Sequence, residues 1–173
     1  MQMRKLIGGI ALMLLVACQD SNTTVKSDFT GNEATYALQP GSQYQIDGTV
    51  TFKEKLDGNT LIVLQLSGTE GDIQFPVHLH MGDITSSGAA VAALLNPVTG
   101  KTGQSETTLI HLADESSITY KQLIDLNACI TIHLSASGPD KDIILAGGNI
   151  GKAASNDISA GRLKFGVCTS ASE

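Results

Sequence analysis

Residues 77–83, VHLHMGD, place His78 and His80 two positions apart in a stretch that otherwise reads as a β-strand. Alternate residues of a strand point to one face, so the two imidazoles stand side by side. Imidazole is a good ligand for copper and zinc, and two rings on one face can grip one ion. A third, His133, lies in another β-patterned run, ITIHLSA, which an antiparallel fold can bring beside the first. His78, His80 and His133 are therefore a candidate copper site, with Met81 nearby as a soft ligand. The competing reading has the same rings hydrogen-bonding carbonyls or carboxylates at the end of a β-sandwich, because H-x-H alone is a weak motif. The fourth histidine, His111, sits in LIHLAD with Asp114 three residues on.

Other chemistry is poorly served, and no catalytic residues are assigned. No serine occupies a G-x-S-x-G elbow, and the carboxylates fall largely in turns such as LDGN and SGPDKD, where Asp favours the bend. AGGNIG, residues 146–151, follows a strand but leads into no helical pattern, so its glycines read as a bulge or tight turn rather than a phosphate loop.

The N-terminus carries a different kind of chemistry. Arg4 and Lys5 precede an apolar run from Leu6 to Ala17, and Cys18 follows. That is the order of a secretory signal, and the run is short for a membrane span. Leu15-Val16-Ala17-Cys18 resembles the lipobox of bacterial lipoproteins. The resemblance implies cleavage before Cys18, lipidation of its thiol and acylation of the new amine, giving a membrane anchor through lipid. Gln19, rather than Asp, after the cysteine implies delivery to the outer membrane of a Gram-negative cell, on a face the sequence does not specify.

Residues 1–17 are thus expected to be a signal peptide, 18–33 a flexible polar tether, and 34–173 one β-domain. The mature chain keeps 156 residues (173 − 17), and losing Arg4 and Lys5 leaves 9 basic against 17 acidic residues, a net charge of −8. Such a surface opposes nucleic acid. With no tryptophan and few aromatics, the core is built from Val, Ile, Leu and Ala. Cys129 and Cys168 would both sit outside the cytoplasm, where they either pair in a disulfide that closes a long loop or remain two buried thiols.

The elements that must position the histidines are short strands separated by Gly, Asp, Asn and Pro. Residues 47–68 are the clearest: Val50 and Phe52, then the Asp57-Gly58-Asn59 turn, then Leu61 and Val63, read as a hairpin. ATYALQ, IQFPVHLH, AAVAALL, ETTLIHL, CITIHLSA, DIILAGGNI and GRLKFGVC follow the same style. Only ITYKQLIDL, residues 118–126, has helical spacing, with Thr119 placed to cap it. About eight such strands predict an all-β fold, an antiparallel Greek-key sandwich or barrel, with one short crossover helix.

GTVTFKEKLDGNTLIVLQLSG, PVHLHMGD, LNPVTGKTGQSET, ITYKQLIDLNACITIHLSA and IILAGGNIG together resemble the CHRD domain in its bacterial, secreted or lipoprotein form, most strongly over residues 46–151. His78-Leu79-His80 and Thr131-Ile132-His133-Leu134-Ser135 match its two short signature strands, with Thr131 in place of Asn and Cys129 where an aromatic is common. The resemblance implies an extracytoplasmic β-barrel that works as a binding or structural module for a protein or small-molecule ligand, without cofactor or catalysis. That resemblance implies an immunoglobulin-like form for the barrel. VHLHMGD, LLNP, TIHLSASGPD and SAGRLKFGV are, more faintly, similar to segments of copper–zinc superoxide dismutase, a resemblance that implies a superoxide-dismutase-like barrel instead. It implies copper on His78, His80 and His133, part of a zinc site at His111 and Asp114, and an anion-guiding role for Arg162. The bridging histidine would fall on Leu94, which binds no metal, so dismutase activity, the sole enzymatic candidate, is not expected.

Overall fold

The computed structural model describes residues 27–86 and 88–159. Cys18, Arg162, Cys168 and the expected strand GRLKFGVC lie outside them. Among the described residues, eight strands form one closed antiparallel barrel: β1 (Phe29–Pro40), β2 (Asp47–Lys55), β3 (Thr60–Ser67), β4 (Gln74–Met81), β5 (Val91–Thr99), β6 (Gln104–Leu109), β7 (Asn127–His133) and β8 (Ile144–Ile150). Around the wall they run β1-β2-β3-β6-β5-β4-β7-β8, and β8 returns to β1. Neighbours far apart in sequence are therefore brought together, β4 with β7 above all.

The predicted hairpin is β2–β3, paired Val50↔Leu64 and Phe52↔Ile62. Its turn forms because Gly58 takes a φ of 84° and the Asp57 carboxylate accepts the Asn59 N–H at 3.0 Å. Phe52, Val50, Ile62 and Leu64 are fully buried inside the barrel. Leu61 and Val63 alternate outward and line a groove on the outer wall with Lys53 and Glu106. Strand β1 begins earlier than the tether boundary at residue 33 allowed: Phe29 pairs with Lys55 and Glu33 with Lys53, with a register shift between them. The shift absorbs the polar TGN stretch, where Gly31 has a φ of 92°.

The glycines of β8 are not a turn. Gly147 and Gly148 lie mid-strand, where β8 meets β1 through Gln39↔Gly147 and Pro40↔Ala146. A side chain at Gly148 would overlap the Ala37 carbonyl, so the seam that closes the barrel requires a residue without one.

The expected helix is present as α1 (Tyr120–Ile124), and Thr119 forms a capping box with Gln122. Tyr120 and Leu123 reach into the core, and the Tyr120 N–H donates to the Gly58 carbonyl at 3.2 Å, docking α1 on the β2–β3 turn. It is not alone. A one-turn 3₁₀ helix (Pro139–Asp142) precedes β8, and a second α-helix, α2 (Gly151–Ser159), follows it and packs against β7 and β8. Its sequence, GKAASNDIS, has no apolar stripe: Ala153 and Asp157 are buried while Ile158 is exposed. Hydrophobic periodicity therefore gives no sign of it.

Candidate metal centre

Strand β4 separates stability from chemistry by simple alternation. Phe75, Val77 and Leu79 point into the barrel and are buried, while His78 and His80 point out and are half-buried. On one side β4 pairs with β5, His78↔Leu94 and His80↔Val91; on the other it pairs with β7, His78↔Thr131 and His80↔Cys129. Residues paired across antiparallel strands share a face, so Thr131 and Cys129 lie on the outer wall with the histidines. His133 ends β7, just past a register irregularity between Ile132 and itself.

The three rings meet. Centroids of His78 and His133 are 4.6 Å apart, those of His78 and His80 5.7 Å, and those of His80 and His133 6.4 Å. One ring nitrogen from each can be chosen so that all three lie within 4.8 Å of one another. Three nitrogens at about 2.0 Å from one ion, at trigonal or tetrahedral angles, would be about 3.3–3.5 Å apart. A single ion held by all three would need the nitrogens drawn in to that spacing. The donor set is imidazole alone, which fits copper or zinc.

Two of the rings are held from behind. His80 Nδ1 lies 3.0 Å from the Ala89 carbonyl, and His133 Nδ1 lies 2.9 Å from the Lys141 carbonyl. A carbonyl only accepts, so both Nδ1 atoms carry a proton, and in the neutral ring Nε2 is the nitrogen that keeps a lone pair. This is the arrangement by which outer partners orient metal-binding histidines. Burial and the neighbouring rings of His133 and His80 push His78 down from 6.5 to about 4, so its ring is neutral at physiological pH. Burial lowers His133 as well, opposed by its hydrogen bond to Lys141.

The carbonyls are supplied by loops with their own anchors. Asn149, buried on β8, accepts the Ile84 N–H at 2.7 Å and donates to Asp83 at 2.8 Å and Asp157 at 2.6 Å. One side chain thus ties the turn after β4 to β8 and to α2. Ile84 lies over Gly147, where an added Cβ would come within 2.7 Å of its terminal methyl. The 3₁₀ helix presents Lys141, and the Leu134 N–H closes that loop by donating to the Ile143 carbonyl at 2.9 Å.

The remaining sequence candidates do not join this cluster. His111 is exposed and its ring stands 3.4 Å from the Ser117 hydroxyl. Asp114 holds its own turn, accepting from the Ser116 N–H and hydroxyl. Met81 follows His80 by one residue, so it leaves the strand on the other side and lines a groove with Val91, Leu112 and Asp114. Leu94, across from His78, is 71% exposed. Cys129 is buried on β7. Sequence reasoning passed over Thr131, whose hydroxyl lies 2.9 Å from His133 Nε2. The period of two would have placed it on the His133 face. Nothing in the sequence marks the Ala89 and Lys141 carbonyls.

Compared with models of protein families and with curated proteins, the chain matches none. These comparisons support neither the resemblance to the CHRD domain nor that to copper–zinc superoxide dismutase.

Proposed function

We propose that this protein is a lipid-anchored, extracytoplasmic binding module that holds one copper ion on His78, His80 and His133. The observation that carries the reading is the convergence of three imidazole nitrogens within 4.8 Å on one patch of the outer barrel wall. Backbone carbonyls engage Nδ1 of His80 and of His133, which leaves Nε2 of each ring as the nitrogen that could ligate the ion. Among divalent ions a nitrogen site prefers copper to zinc, which favours copper as the occupant. The neighbour order that sets β3 beside β6 and β4 beside β7 supports a Greek-key barrel. The lipobox ending in Cys18 supports attachment to the outer membrane of a Gram-negative cell.

The module binds and does not catalyse. A dismutase of the copper–zinc type would need a bridging imidazole where Leu94 stands, and the half-site of His111 and Asp114 is engaged in its own turn. Copper, when bound, would supply a redox-active, soft centre, and the protein's part is to present three imidazole rings on one wall of the barrel.

Metal analysis and chelator competition on the full-length lipoprotein in detergent test this. One copper per chain is expected, lost in His80→Ala and His133→Ala. A protein that stays copper-free, or variants that keep the metal, would overturn the assignment. Globomycin is expected to hold the chain as a heavier, uncleaved precursor and Cys18→Ala to abolish incorporation of labelled fatty acid; an unlabelled parent, or labelling unchanged in the variant, would overturn the lipid anchor.

A further inference from the structure

We propose that Thr131 tunes the metal affinity of the three-histidine site by competing with the ion for His133 Nε2, an inference that rests on the copper reading above. With His133 Nδ1 donating to the Lys141 carbonyl, Nε2 is the nitrogen left to ligate metal. That nitrogen is engaged: the Thr131 hydroxyl, 2.9 Å away, donates its proton to it. A metal ion and a hydroxyl proton cannot share the one lone pair, so binding must break this hydrogen bond.

The bond is built into the wall. Thr131 lies directly across from His78 and two residues before His133 on β7, so its hydroxyl sits among the rings that would surround the ion. It is only 4% exposed, which keeps solvent from taking over the role if the hydroxyl is removed. Among the described residues, neither nitrogen of His78 is hydrogen-bonded, and His80 keeps Nε2 clear of its bond to Ala89. The competition therefore falls on one ligand of three. It lowers affinity because the ion must displace a hydrogen bond that the empty site already makes.

Thr131→Val removes the hydroxyl at nearly constant shape, and Thr131→Ser keeps it. Copper affinity of the full-length protein, measured by competition with a chromophoric copper chelator, is expected to rise roughly fivefold in Thr131→Val, the worth of one neutral hydrogen bond. Thr131→Ser is expected to match the parent. Thr131→Ala serves as the second hydroxyl-free variant should the valine not fold. Nitrogen NMR without metal is a separate readout: the Nε2 resonance of His133 should shift when the hydroxyl is lost, while Nδ1 stays protonated. Equal or weaker copper binding by a folded hydroxyl-free variant, alongside normal binding by the parent, would overturn the role of Thr131 and leave the site standing. Absence of copper from parent and variants alike would overturn the site and this inference with it.

Discussion

Acid should unfold this barrel partly through His78, and the size of the effect follows from where that ring sits. Unfolded, the imidazole has its ordinary affinity for protons near 6.5; folded, burial and its two neighbours hold it to about 4. The folded state thus refuses a proton that the unfolded state accepts. Stability from this group is complete above pH 6.5 and falls as pH drops towards 4, where it levels off. Between pH 7.5 and 4.5 the full difference would be about 2.5 kcal/mol at 1.36 kcal/mol per tenfold change in proton affinity. The ring is only half-buried, so solvent screening reduces this to about 1 kcal/mol. Urea denaturation with a chelator present, at the two pH values, measures it. The parent should lose about 1 kcal/mol more on acidification than His78→Gln, which cannot titrate. If the two proteins show the same pH dependence, the ring is not held neutral by its surroundings and the reasoning fails.

Three further outcomes are expected. Asn149→Ala should destabilise the protein by about 3 kcal/mol, because it strands a buried Ile84 N–H and removes a shared donor from Asp83 and Asp157; urea denaturation reads the loss, and hydrogen exchange should quicken at residues 83–86. Gly48→Ala should cost about 3 kcal/mol or more, since its Cβ would overlap the Gln65 carbonyl on the adjoining strand, and a fall in thermal midpoint reports it. Lys152→Ala should change stability by less than about 0.5 kcal/mol, because its 2.9 Å ion pair with Asp125 is 60% and 70% exposed; a larger loss in the same denaturation assay would show that the pair does more than its exposure suggests.

The β2–β3 hairpin and α1 were legible because each is specified locally. Asp57-Gly58-Asn59 demands a tight turn, and Thr119 with Gln122 writes a helix start. The histidine cluster was half legible. The period of two placed His78 beside His80, but His133 joins them only because β7 docks on β4, a pairing of strands far apart in the chain that no local signal encodes. What went unread had physical reasons too. Helix α2 is held by a buried Asp157 and by packing on β7 and β8, not by an apolar stripe. Gly147 and Gly148 resemble turn glycines in sequence because the need for close approach arises from β1 and Ile84, distant along the chain. Strand β1 starts in a polar segment because its first residues pair at the rim, where burying apolar surface is not required.

The inside-out alternation on β4 has a consequence for how this protein can change. Phe75, Val77 and Leu79 serve the interior, and His78 and His80 the exterior, with no residue asked to do both. Variation at the outward positions can therefore create, retune or erase an ion site without touching the core. Substitution on this wall leaves the interior as it is, and a barrel like this one is a ready scaffold on which to write new surface chemistry.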